Sequence, residues 1–139
     1  MKLAEFEAGL TARLRGLGFA CAEADREGPM GSGLVRYSSG RSDVVLTSDR
    51  GVLGITIGLP GGASFGYQSW AELLDLEVDA DLGVDAQADF LLGHVGQIEN
   101  MIEQDPAVGE RLRSANWRFV KEFLGLDPDM QKPDASEGF

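Results

Sequence analysis

The chain has 139 residues, 43% of them hydrophobic, and a formal net charge of -11, a size suited to one domain, since about 150 residues bury roughly 70% of their unfolded surface. No run approaches the ~20 apolar residues of a membrane span, and Glu5 and Glu7 interrupt the apolar stretch a signal peptide needs, so a cytoplasmic location is expected. The acidic balance argues against nucleic acid or an anionic membrane as ligand, and the single cysteine, Cys21, rules out an internal disulfide.

The first element is read from Leu3, Phe6, Leu10, Leu14 and Leu17, whose spacing of three or four stacks them on one helix face, with Gly16 and Gly18 as stop signals. Phe19 to Asp25 alternates loosely, as a short strand would, before a glycine-rich turn over 28–33. Leu34–Ser38, Asp43–Thr47 and Val52–Leu59 are rich in β-branched residues and separated by short turns containing Gly40 and Gly51. That pattern predicts an antiparallel meander. In its last strand Leu53, Ile55, Ile57 and Leu59 share the core face, while Gly54 and Gly58 face away. Those glycines are read as accommodating a bulge or a close neighbour, the alternative being a partner-binding groove. Ala63 to Tyr67 is read as a return strand.

Helical signals resume at Trp70–Leu76, with Ser69 as the expected cap. After an acidic connector over 77–83, Asp85 is expected to cap one long helix carrying Phe90, Leu91, Val95, Ile98 and Ile102. Asp105–Pro106 restarts a helix whose stripe is Val108, Leu112, Ala115, Phe119 and Phe123, closed by Gly125. The expectation is an α+β domain over residues 1–126: an N-terminal helix, a meander of three to five strands, and two or three C-terminal helices on one sheet face. Residues 127–139 are expected to be a disordered tail.

Catalytic signals are sparse. One histidine, His94, and one cysteine, Cys21, are the only candidates for a nucleophile and base, and both are read as packed residues, His94 at a stripe edge and Cys21 as a small buried thiol. The run Asp75, Glu77, Asp79, Asp81, Asp85 invites a calcium loop, but starting at Asp79 puts Gly83 one place early and Phe90 where the bidentate glutamate belongs. No phosphate-cradling or dinucleotide motif is found, and no cofactor or metal is expected. Trp70 and Trp117 are either core residues or interface anchors.

The charge itself is the strongest signal. Gly51 to Glu110 holds eleven carboxylates and no lysine or arginine, whereas the rest of the chain holds twelve acids and twelve bases. Asp85, Asp89 and Asp105 are explained as caps or first-turn residues, and Glu99, Glu103 and Glu110 as solvated helix faces. Glu72 to Asp81 remains a dense patch.

The layout of Gly18–Phe19, the turn at Gly31, Leu34–Tyr37, the Ser48–Gly51 hairpin and Trp70–Leu76 resembles small bacterial α+β proteins of immunity or uncharacterised type, across about Leu3 to Leu76. The resemblance implies a cytosolic inhibitor that occludes a toxin's active site, and it carries over no binding residues. A second likeness, to type III secretion effector chaperones, implies a homodimer that holds an extended effector segment; the long C-terminal helices depart from it. The leading expectation is a non-enzymatic module that meets a basic protein surface, toxin or effector, through Trp70, Glu72, Asp75, Glu77, Asp79, Asp81 and Asp85. The alternatives are the effector chaperone and a metal-binding or enzymatic domain.

Overall fold

Alternation of β-branched residues with tight glycine turns produces the sheet. In a computed structural model, which describes residues 1–127, 129 and 130, helix α1 (Leu3–Gly16) is followed by strands β1 (Ala20–Asp25), β2 (Gly33–Ser38), β3 (Asp43–Asp49), β4 (Val52–Gly58) and β5 (Ser64–Phe65). The five strands pair antiparallel in sequence order. The β3–β4 turn has positive φ at both Arg50 (52°) and Gly51 (84°), the geometry that lets a two-residue hairpin follow the sheet's twist. Register aligns the apolar residues into two rows on one face, Val35–Leu46–Ile55 and Tyr37–Val44–Ile57–Phe65, and all of them are buried.

Helices α2 (Tyr67–Leu73), α3 (Val84–Gly93), α4 (Val95–Gln104) and α5 (Val108–Leu124) complete the α+β architecture. Leu3, Phe6 and Leu14 from α1, Leu91 and Leu92 from α3, Ile98 from α4 and Leu112 from α5 join the sheet rows in one core cluster. Burial of each such side chain contributes about 1.5–3 kcal/mol.

Several expectations are corrected. The long helix expected from Asp85 to Ile102 is two helices, broken at His94 (φ -112°, ψ 11°). The His94 ring Nδ1 lies 2.7 Å from the Phe90 carbonyl, the acceptor that the His94 amide takes in a continuous helix. A carbonyl can only accept, so Nδ1 carries the proton. Asp85 lies in the first turn of α3, and Gly83 holds the cap position. Ser69 is buried inside α2, which begins after Gly66. Phe123 is 89% exposed, while Trp117 is buried and its indole N–H donates to the Met130 carbonyl at 3.2 Å. Cys21 is exposed, as are all six residues of β1, one of the sheet's two outer strands. The reading of Gly58 as making room for a close neighbour holds, since a methyl group added there would overlap the Ala63 carbonyl on the return into β5. The tail expected over 127–139 lies outside the described residues apart from Asp127, Asp129 and Met130.

Buried charges tie the elements together. Glu7 of α1 accepts from Arg26 Nε (2.6 Å) and Nη2 (2.8 Å) and from the Tyr37 hydroxyl (2.5 Å). The hydrogen bonds from Arg26 hold the Glu7 carboxyl below its ordinary value against the opposing effect of burial, with Tyr37 adding to them. Burial pushes Asp43 up, but the Ser38 hydroxyl, the Gly61 amide and Arg36 more than offset it and its net shift is downward. Glu99, expected on a solvated face, is 6% exposed. It accepts from Ser39 Oγ (2.6 Å) and Ser42 Oγ (2.8 Å), fastening the β2–β3 turn to α4.

Candidate functional site

The acidic region is positioned by two aromatic side chains of α2. Trp70 has no exposed surface, and its indole N–H donates to the Ile57 carbonyl at 2.8 Å, which seats α2 against β4. The expectation of Trp70 as a surface anchor is therefore corrected: it holds the scaffold and offers nothing to a partner. The Tyr67 hydroxyl shares its hydrogen between the carbonyls of Asp79 (3.0 Å) and Ala80 (2.9 Å) and accepts from the Leu82 amide (3.3 Å). Gln68 Nε2 donates to the Ala80 carbonyl at 3.2 Å. The connector between α2 and α3 has no regular secondary structure, and these bonds fold it back over α2.

Helix α2 ends in two backbone bonds, from the Leu76 amide to the Ala71 carbonyl (2.8 Å) and from the Asp75 amide to the Glu72 carbonyl (3.1 Å). This termination places Asp75 in the left-handed region, at φ 58°, a position glycine normally occupies. An aspartate there costs roughly 1 kcal/mol in backbone strain. It also sets a negative charge at the negative end of the helix dipole.

The end of α2, the start of the connector and the C-terminal half of α5 enclose an open cleft of about 660 Å³. Ala71, Leu76, Val78, Ala80 and Phe119 supply its apolar lining, and Glu72, Asp75, Glu77 and Glu122 its carboxylates. Arg118 is the one cation lining it among the described residues, so four negative charges less one positive leave a formal lining charge of -3. Arg118 Nη2 is paired with Glu72 Oε1, their side chains 57% and 35% exposed. Among the described residues, the side chains of Asp75, Glu77 and Glu122 have no hydrogen-bond or ion-pair partner.

Of the expected partner-binding residues, the structure brings Glu72, Asp75 and Glu77 into this cleft. Asp79, Asp81 and Asp85 are exposed on the connector and the first turn of α3 and do not line it. The α5 wall, Arg118, Phe119 and Glu122, was not anticipated from sequence. Only the packing of α2 on α5 joins these distant segments.

The remaining candidate chemistry is dispersed. Cys21 lies on β1 with its sulfur 3.8 Å from the Glu23 carbonyl, and His94 lies between α3 and α4 with its ring against Phe90. No group of three or more His, Cys, Asp or Glu side chains suited to a metal ion occurs among the described residues. No helix among them is long and apolar enough to cross a membrane. Comparison with protein-family models, curated proteins and solved structures finds no match for the chain.

Proposed function

We propose that this chain is a non-enzymatic protein-binding module whose acidic cleft meets a basic protein surface, most concretely as a cytoplasmic immunity-type inhibitor of a cognate bacterial toxin. The observation that carries the reading is the cleft itself, in which Glu72, Asp75 and Glu77 stand over an apolar floor with a formal lining charge of -3. Asp75 adds weight. A residue that works against both its backbone conformation and its helix dipole is better explained by what its carboxylate meets than by stability. Asp79, Asp81 and Asp85 extend the field beyond the cleft, speeding encounter with a cationic partner and contributing less to the bound state.

The test is co-purification from the native host followed by association kinetics with the recovered partner. Reversing Glu72, Asp75 and Glu77 to lysine is expected to lower the association rate at least tenfold at low salt, with the difference narrowing as salt rises. An unchanged rate would remove the cleft from the interface.

A second reading, the effector chaperone, draws on β1, an outer strand whose six residues are all exposed. Its free edge can accept an extended segment by strand addition. Light scattering showing a stable dimer, together with protection of Ala20–Asp25 from hydrogen exchange on addition of an extended peptide, would favour it.

A further inference from the structure

We infer that Arg118 occupies Glu72 as an internal stand-in for a partner's cationic side chain, and that a partner segment carrying arginine beside an apolar residue displaces it; this rests on the reading of the cleft as a binding surface. The pair itself demonstrates the chemistry, since Glu72 already accepts from a guanidinium at the mouth of the cleft. Arg118 is more than half exposed, so a competing cation reaches the same carboxylate without opening the core.

Release is inexpensive because exposed ion pairs contribute little, and because Glu122 stands one helical turn further along α5, on the same face, as a replacement acceptor. The apolar lining at Leu76, Val78 and Phe119 selects for more than charge. A bare cation leaves it wet, whereas an apolar neighbour of the incoming arginine covers it. The side chains of Asp75 and Glu77, without partners among the described residues, are then available to further basic groups of the same segment.

The experiment is fluorescence anisotropy of a labelled peptide with arginine and leucine at helical spacing, titrated with the full chain and its variants. Arg118→Gln is expected to bind about threefold more tightly than the parent, the size set by the loss of one exposed ion pair. Lys121→Gln removes the same charge from the same helix outside the cleft lining and is expected to change binding much less. Glu72→Gln weakens binding, and in that background Arg118→Gln gives no further gain, as coupling through one carboxylate requires. Equal tightening by Arg118→Gln and Lys121→Gln would overturn the inference while leaving the cleft as the binding surface, because general charge would then suffice. If neither the parent nor Arg118→Gln binds the peptide, the reading of the cleft falls with it.

Discussion

The carboxylates of the sheet side and those of the cleft behave as two populations. Glu7, Asp43 and Glu99 are almost fully buried, and each is held by named donors: Arg26 and Tyr37 for Glu7, Arg36 and the Gly61 amide for Asp43, Ser39 and Ser42 for Glu99. Asp75 and Glu77 are exposed, with no side-chain partner among the described residues. In the first group Glu7 fastens α1 to β2 and to Arg26, Asp43 fastens β3 to β2 and to the loop at Gly61, and Glu99 fastens α4 to the β2–β3 turn; the second group fastens nothing and concentrates charge beside an apolar floor. Net charge alone hides this division, because the fold depends on one set of acids and is burdened by part of the other.

The largest expected effect tests the scaffold beneath the cleft. Trp70→Ala should lower the unfolding free energy by about 4 kcal/mol, through the cavity and the unpaired Ile57 carbonyl; a urea titration showing under 1 kcal/mol would mean that Trp70 does not hold α2. Next is the buried network, where Glu7→Gln should cost about 2 kcal/mol by replacing a charge-assisted acceptor with a neutral amide.

The pH dependence separates the two populations further. Glu7 and Asp43 have depressed folded-state values, so the unfolded chain binds their protons more readily. Their stabilisation is fully present above the ordinary carboxylate range and is lost as pH falls through the folded values. Stability should therefore drop below about pH 4, and the drop should be shallower in Glu7→Gln; the same slope in both proteins would place the acid sensitivity elsewhere. The smallest effect has the opposite sign: Asp75→Gly should raise stability by roughly 1 kcal/mol, since glycine relieves the left-handed strain and the dipole conflict together. It should weaken binding of a basic partner at the same time. A thermal melt showing destabilisation would give Asp75 a structural role and break the contrast.

The sheet was legible in the sequence because β-branched alternation and Gly40, Gly51 and Gly58 act locally; even the buried face of β4 follows from period two. The helices were legible as stripes but not in their ends or partners. At the break between α3 and α4 the His94 ring meets the Phe90 carbonyl, a contact that periodicity does not register. Phe123 shares the phase of Leu112 yet projects into solvent, while Trp117, off the stripe, is covered. A stripe fixes which residues lie together; it does not say how far along a helix its neighbours reach. For the same reason Glu72, Asp75 and Glu77 were visible as charge, whereas Arg118, Phe119 and Glu122 became part of the site only through the packing of α5 on α2.

The most direct measurement is amide chemical-shift mapping of the labelled chain titrated with the arginine–leucine peptide, which does not require the natural partner. If the cleft is the binding surface, perturbations concentrate at Glu72, Asp75 to Val78 and Arg118 to Glu122, with Glu7 and Glu99 unaffected. Perturbations confined to Ala20–Asp25 of the outer strand, or spread evenly over every exposed acid, would contradict that assignment.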